Sequence, residues 1–592
     1  MRRFRILPFL FASLLVPASL SLAASPPAPA TVEPAIGAVV GTDAGAAVAT
    51  AASAPVTARH AMVVTAQHLA TDAGVEILRA GGNAVDAAVA VGYALAVVQP
   101  CCGNIGGGGF MTIHLANGKN LFLNFRERAP FAAAADMYLK DNGKVNRHSN
   151  LRSFKAVGVP GTVMGLNTAL ERFGTMSRAA VMQPAIRLAE EGYVIRPGDA
   201  RIFAAVADRL KRHPVAWKLF SIDGHTPRAG ERLRQPQLAE TLKLIAREGS
   251  KVFYEGPIAK AIVKASEAKG GIFTMKDFER YTVEWLKPIT CTYRGYTIVS
   301  APPPSSGGVT LCEMLNILSG WTKYPGYGFH SVLAVHDMVE AMRFAYADRN
   351  TKLGDPNFVD NPIDKLLSAR HAAAIRARIP ADRAVPSSEV HGGQVAPEGR
   401  HTTHYSIVDA AGNAVAVTYT LNSWFGTGIA APGTGFVLNN EMDDFTSKPG
   451  VPNQYGLVQG KENAIAPGKR PLSSMTPTIV LRDGKPFMLT GSPGGSTIIT
   501  TVLQTIVNVI DRGMNVREAV DAPRIHQQWL PDVVYLEPDA LTPETRAALE
   551  EMGYRFRTRH GWGAAEAIVV RPDGVLAGAS DRRRSAGSAA GY

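Results

Sequence analysis

Residues 400–420 read RHTTHYSIVDAAGNAVAVTYT, and the rest of the chain is best read outward from them. Residues 405–408 and 414–419 are two strand-like runs around Ala411-Gly412-Asn413, a pattern that predicts a β-hairpin. Thr402, Thr403 and His404 stand at its mouth. On propensity alone Thr402, Thr403 and Tyr405 are β-formers that open a strand. Chemistry offers another reading. A threonine hydroxyl is a weak nucleophile until a base takes its proton, and an N-terminal threonine carries that base as its own α-amine. Such an amine titrates at about 7.7–8.0, close to working pH. Breaking the bond between His401 and Thr402 would give Thr402 that amine.

The flanks suit such a cut. Residues 384–400, AVPSSEVHGGQVAPEGR, are polar and rich in Gly and Pro, and are expected to form an exposed linker. Residues 426–470 are too long and too rich in Gly, Pro and Asn for a passive connector, so a functional loop or lid is expected. Residues 476–482 and 487–490 predict a second hairpin around Asp483-Gly484. It leads into Thr490-Gly491-Ser492-Pro493-Gly494-Gly495-Ser496, ahead of an apolar helical run over 498–510. Glycines between a strand and a helix N-terminus leave backbone N–H groups unpaired, as an oxyanion hole requires. A generic strand-to-helix turn is the alternative. Arg470-Pro471-Leu472-Ser473-Ser474-Met475 places two adjacent hydroxyls after a basic loop.

Toward the N-terminus, apolar spacing predicts a helix over 68–79, stopped by Gly81-Gly82. Asn83 caps a second, almost wholly apolar helix ending before Pro100. The run GNIGGGG at 103–109 lacks the Gly-Lys-Ser/Thr ending of a phosphate loop and reads as close backbone packing or a mobile turn. Strands follow at 110–114 and 121–125, the latter ending on Arg126-Glu127-Arg128. Helical patterns dominate 161–268 and 328–381, and APPPSSGG at 301–308 is rich in turn residues.

The chain has 592 residues, 46% hydrophobic and 19% charged, the composition of a globular protein with two domains or one large layered body. Residues 1–24 carry a basic start, an apolar run and a small-residue cleavage point, which predicts a signal peptide and export. A membrane anchor is disfavoured by Pro8 and Pro17, and no later segment is apolar enough to span. Residues 25–56 read as a flexible Ala/Pro-rich leader. The net charge is +12, but the basic residues are scattered without an aromatic-basic module, so nucleic acid is not expected as a partner. The four cysteines, Cys101, Cys102, Cys291 and Cys312, show no CxxC and no His at ligand spacing, which disfavours zinc and leaves disulfide pairing open.

The stretches LRAGGNAVDAAVA, GGGGFM, FRERAP, PPPSSGG, TTHYSIVDAAGNAVAVTYTLN, NNEMDDF, KRPLSSMTPTIV, GSPGGS and GASD occur in order. Together the chain from about Arg59 to Tyr592 resembles the γ-glutamyltranspeptidases, a family of N-terminal-nucleophile hydrolases. The resemblance implies an α/β fold, a four-layer αββα sandwich. It also implies self-cleavage before Thr402 into a large subunit, 57–401, and a small subunit, 402–592, that stay together as a heterodimer. Thr402 would be nucleophile of both cleavage and catalysis, Thr420 would orient the new terminus, and Gly494 and Gly495 would hold the oxyanion. The implied substrates are glutathione and other γ-glutamyl compounds, with water, amino acids or peptides as acceptors and no cofactor or metal. Export would place the enzyme in the periplasm or outside the cell.

A γ-glutamyl group presents an α-carboxylate and an α-ammonium. Arg126 suits the carboxylate, since a guanidinium binds it bidentately; by resemblance Ser473 and Ser474 join it, while Asn422, Glu441 and Asp444 take the ammonium. Residues 444–460 resemble the family's lid, with Tyr455 as its gating aromatic. Blander readings are a surface pair for Arg126-Glu127 and solvated loop acids or a calcium site for Glu441 and Asp444. Three positions depart from relatives: Glu441 where some carry Gln, SDRRRS where Asp-Pro-Arg is frequent, and His401 where Gln occurs. A glutaryl-β-lactam or poly-γ-glutamate acylase and an unprocessed envelope scaffold are the competing functions.

Overall fold

The computed structural model describes residues 54–390 and 402–592. The expected signal peptide, most of the leader and His401 lie outside the described residues. The first strand, Val56–Ala58, begins at the last residue assigned to the leader.

The hairpin forms as expected: Thr403–Val408 and Ala414–Thr420 pair antiparallel, with Val408 opposite Ala414 and Thr403 opposite Tyr419. It sits inside a seven-stranded sheet whose order is Ser588–Gly591, Met62–Thr65, Thr403–Val408, Ala414–Thr420, Gly108–His114, Asn120–Phe125 and Glu284–Leu286. A second seven-stranded sheet runs Val56–Ala58, Leu576–Ser580, Glu566–Val570, Lys485–Thr490, Thr478–Arg482, Tyr296–Ser300 and Ile289–Tyr293.

Period-two alternation decides how these sheets stack. Met62, Val64, Ala414 and Ala416 from the first sheet meet Ile479, Leu481, Leu489 and Ile568 from the second in one apolar layer. Their strand neighbours point the other way. Val63, Ile407, Val415 and Val417 pack under helices that include Ala84–Val98. Val480, Met488, Ala567 and Ala577 pack under helices that include Gly307–Ser319 and Thr497–Ile510. Both faces of each sheet are thus covered, and the order of layers is αββα. Helix Ala84–Val98 is buried at every position, as its apolar composition predicts, and starts in a capping box between Asn83 and Asp86.

Two disulfides supply the pairing that the sequence left open. Cys291–Cys312 ties an edge strand to helix Gly307–Ser319, and Cys101–Cys102 joins adjacent residues. One expectation is corrected. The linker reading of 384–400 fails for its first part, because residues 387–390 form a helical turn with Ser387 buried. Ser387 donates to the Trp529 carbonyl at 2.6 Å and accepts from Arg343 at 2.6 Å, so a polar residue is satisfied inside the fold. Residues 391–400 lie outside the described residues.

Candidate active site

The site lies where the first sheet's central strands end. Thr402 precedes Thr403–Val408 and Thr420 closes Ala414–Thr420, so the hairpin register brings their hydroxyls to 3.2 Å. The Thr420 hydroxyl also accepts from the Asn422 amide at 2.8 Å. Behind it the glycine run does what close packing requires: a Cβ on Gly107 would lie 1.8 Å from the Thr420 carbonyl oxygen. His404 is not part of this chemistry. It is buried between Thr418 and Ser406, and burial holds its pKa down at about 3.

The turn between Lys485–Thr490 and Thr497–Ile510 carries Gly494 at φ +142° and Gly495 at φ +58°. A Cβ on Gly495 would meet the Tyr455 ring at 2.5 Å, so only glycine fits there. The Gly494 and Gly495 amides donate to no backbone carbonyl among the described residues. Tyr455 lies over this turn and donates to the Asn422 carbonyl at 2.7 Å.

Thr402, Thr420, Asn422, Glu441, Asp444, Tyr455, Ser473, Ser474, Gly495 and Arg126 line one pocket. Gly494 lines the cavity on the other side of the turn. Hence nine of the ten residues expected to handle the nucleophile and the γ-glutamyl group, and the lid tyrosine, converge here. With Arg126 closed on Glu441 and Asp444 the pocket encloses about 20 Å³, room for a single water.

The surface reading of Arg126-Glu127 is overturned, because both side chains are fully buried. Arg126 donates to Glu441 and, at 2.5 Å, to Asp444, and Glu127 stands 3.6 Å away. The solvated-loop reading of Glu441 fails likewise at 1% exposure. Burial alone would lower the Arg126 pKa, but Glu441, Asp444 and Glu127 raise it above the ordinary arginine value. Burial pushes Glu127 up to about 7 and Glu441 well above the carboxylate range, each partly offset by Arg126. Glu441 Oε2 has no hydrogen-bond partner among the described residues.

Sequence reasoning missed Arg349, which lines the same pocket. It lies on the wholly buried part of helix Val332–Lys352. Its Nη2 donates to Ser474 Oγ at 2.9 Å, its Nε to Ser306 Oγ at 2.9 Å and its Nη1 to Gln459 at 3.2 Å. All are neutral acceptors, and burial lowers its pKa to about 10. The one available signal was a charge within a segment whose neighbours read as core.

The SDRRRS departure is accommodated by charge pairing. Arg524 donates to Asp581 at 2.5 Å, Arg583 reaches Asp581 at 3.2 Å and also pairs with Glu537, and Arg584 donates to the Thr402 carbonyl at 3.0 Å. A further cluster, Glu313, Asp348 and His371, lies on the second sheet's helices and is joined by Lys352.

An αββα sandwich with a hydroxyl-bearing residue at the head of a central strand defines the class of N-terminal-nucleophile hydrolases. Within that class the chain belongs to the γ-glutamyltranspeptidase family, whose family model matches residues 70–592. It is 52% identical over 534 residues to the glutathione hydrolase proenzyme of Pseudomonas sp. strain A14, covering 88% of this chain and 93% of that one. To the glutathione hydrolase proenzyme of Escherichia coli K12 it is 49% identical, covering 88% and 90%. Among solved structures, cephalosporin acylase from Bacillus halodurans superposes with a TM-score of 0.80 at 30% identity, over 93% of this chain and 99% of that one. No helix among the described residues is long and apolar enough to cross a membrane.

Proposed function

We propose that the chain is an exported proenzyme that cuts itself between His401 and Thr402 and then transfers γ-glutamyl groups from glutathione and related compounds to water, amino acids or peptides. The observation that carries this reading is the Thr402 hydroxyl, 3.2 Å from Thr420, sharing a pocket with Gly495 and the Arg126–Glu441–Asp444 set. After the cut the Thr402 α-amine takes the hydroxyl proton. Oγ1 attacks the γ-carbonyl, the oxyanion turns to the amides at Gly494 and Gly495, and the amine leaves with the proton. Water or an acceptor amine then cleaves the ester.

The recognition set suits a zwitterion. The substrate α-carboxylate takes Arg126 with Ser473 and Ser474, and the α-ammonium takes the acids thereby released, Glu441 and Asp444, together with Asn422. Glu441 and Asp444 already face a cation in Arg126, and a substrate ammonium offers them another. A glutaryl group lacks the ammonium, which argues against the acylase reading despite 39% identity to the acylase ACY 1 proenzyme of Pseudomonas sp. strain V22.

A denaturing gel with Edman sequencing tests the cut, with two fragments expected and the smaller beginning Thr-Thr-His-Tyr. A single full-length band would favour a scaffold. Anilides then test the substrate: faster turnover of glutaryl than of γ-glutamyl p-nitroanilide would defeat the assignment.

A further inference from the structure

We propose that the Cys101–Cys102 disulfide is a positioning element of the donor site: it fixes two backbone carbonyls that hold the turn carrying Asn422, and its reduction by thiols weakens donor binding. The proposal rests on the γ-glutamyl-transfer reading above, in which Asn422 takes the substrate ammonium. The bond sits in the segment that leaves helix Ala84–Val98 for strand Gly108–His114, and both cysteines are buried. The Cys102 carbonyl accepts from the Leu421 N–H at 2.9 Å and the Cys101 carbonyl from the Phe425 N–H at 2.7 Å. These two bonds bracket Asn422, which lines the Thr402 pocket. The bracketed turn needs such support. Asn422 stands at φ +69° and Phe425 at φ +56°, left-handed values that residues other than glycine keep only where their surroundings hold them. Asn440 braces the turn from the other side, donating to the Leu421 carbonyl at 3.1 Å and accepting from Asn422 Nδ2 at 2.9 Å.

The same segment presses on both threonine strands. Gln99 Oε1 accepts from Thr403 Oγ1 at 2.6 Å. A Cβ on Gly103 would lie 2.5 Å from Thr403 and 2.3 Å from the Tyr419 ring. Residues 99–103 therefore touch the chain neighbours of Thr402 and Thr420 while bracketing Asn422. A bond between adjacent side chains closes a small ring that includes their shared peptide, so the two carbonyls keep one relative direction. Opening the ring returns those backbone torsions, and the two acceptors turn independently. The electrons come from two low-molecular-weight thiols, the class to which glutathione itself belongs. One thiolate attacks a sulfur of the bridge and forms a mixed disulfide; the second attacks that mixed disulfide. Cys101 and Cys102 are left as protonated thiols, and the two reductant thiols leave as one disulfide. Cys291–Cys312 belongs to the second sheet and its helix, and neither cysteine lines the Thr402 pocket.

The test uses full-length, already processed enzyme, with p-nitroaniline release from γ-glutamyl p-nitroanilide measured before and after dithiothreitol. Iodoacetamide labelling read by mass spectrometry counts the thiols at 101 and 102. Cys291→Ser/Cys312→Ser leaves Cys101–Cys102 as the sole bridge and should keep the wild-type KM until reduced. Reduction should then raise KM about tenfold with a change in kcat below about threefold, and reoxidation should restore it. Cys101→Ser/Cys102→Ser should show the raised KM without reductant and no response to it; if that chain fails to process, the reduction of Cys291→Ser/Cys312→Ser decides alone. An unchanged KM once both thiols are labelled, an equal fall in kcat, or a bridge that dithiothreitol does not open would overturn the proposal. No p-nitroaniline release from oxidised wild type would instead defeat the underlying γ-glutamyl reading, and the positioning role with it.

Discussion

Thr402 Oγ1 lies 3.2 Å from Thr420 Oγ1, one rung beyond the last paired residues of the hairpin. Strand register, not loop conformation, sets this contact, so it is held with the rigidity of the sheet. Thr402→Ala should leave a single full-length chain without activity. Thr420→Ala keeps Thr402 but removes its hydroxyl partner, and should lower kcat by about 10²–10³-fold. Densitometry of the two fragments and steady-state rates on γ-glutamyl p-nitroanilide check both.

Substitutions at Arg126 test stability and the proposed recognition together. Arg126→Ala would leave the buried Glu127 and Glu441 and the partly buried Asp444 around a missing cation, and should cost about 3–5 kcal/mol of stability. Arg126→Lys keeps the charge but loses the fork, so it should retain most of the stability while kcat/KM falls by about 10²-fold. Denaturant unfolding and donor kinetics separate the two effects.

Arg349 donates to Ser474 Oγ, which leaves that hydroxyl's own hydrogen to be given to a substrate carboxylate. Arg349→Gln should raise the donor KM by about tenfold or more with a smaller change in kcat. The rise should vanish for a 4-aminobutyryl anilide, which lacks the α-carboxylate. Equal losses on both donors would refute the assignment.

His371 gives a pH signature at a cluster that does not line the Thr402 pocket. Hydrogen bonds to Asp348 at 2.8 Å and Glu313 at 3.1 Å raise its pKa to about 9. A raised histidine pKa stabilises the fold fully below the unfolded value of about 6.5, and that contribution disappears as pH rises through about 9. Asp348 is held down at about 2, whereas burial pushes Glu313 up, so the pairing is carried chiefly by Asp348. Tm should decline between pH 7 and 9.5, and His371→Gln should flatten that decline.

Much of this architecture was legible in residue order. The hairpin, the buried helix Ala84–Val98, the glycine turn before Thr497–Ile510 and the second hairpin at Asp483-Gly484 all follow from local pattern. Local patterns fail where a polar residue is satisfied by distant partners. Ser387 reads as linker because Arg343, Trp529 and Asp532 are remote in sequence. Arg126-Glu127 reads as a surface pair because Glu441 is 315 residues away.

The sequence by itself determined the two hairpins and the place of Thr402 at the head of a strand, because side-chain alternation and turn chemistry act over a few residues. Only the tertiary structure decided which charges meet. It closed Arg126 on Glu441 and Asp444, brought Arg349 against Ser474 and opened the cavity beside Gly494, because burial and electrostatic pairing depend on distances through space that the order of residues does not contain.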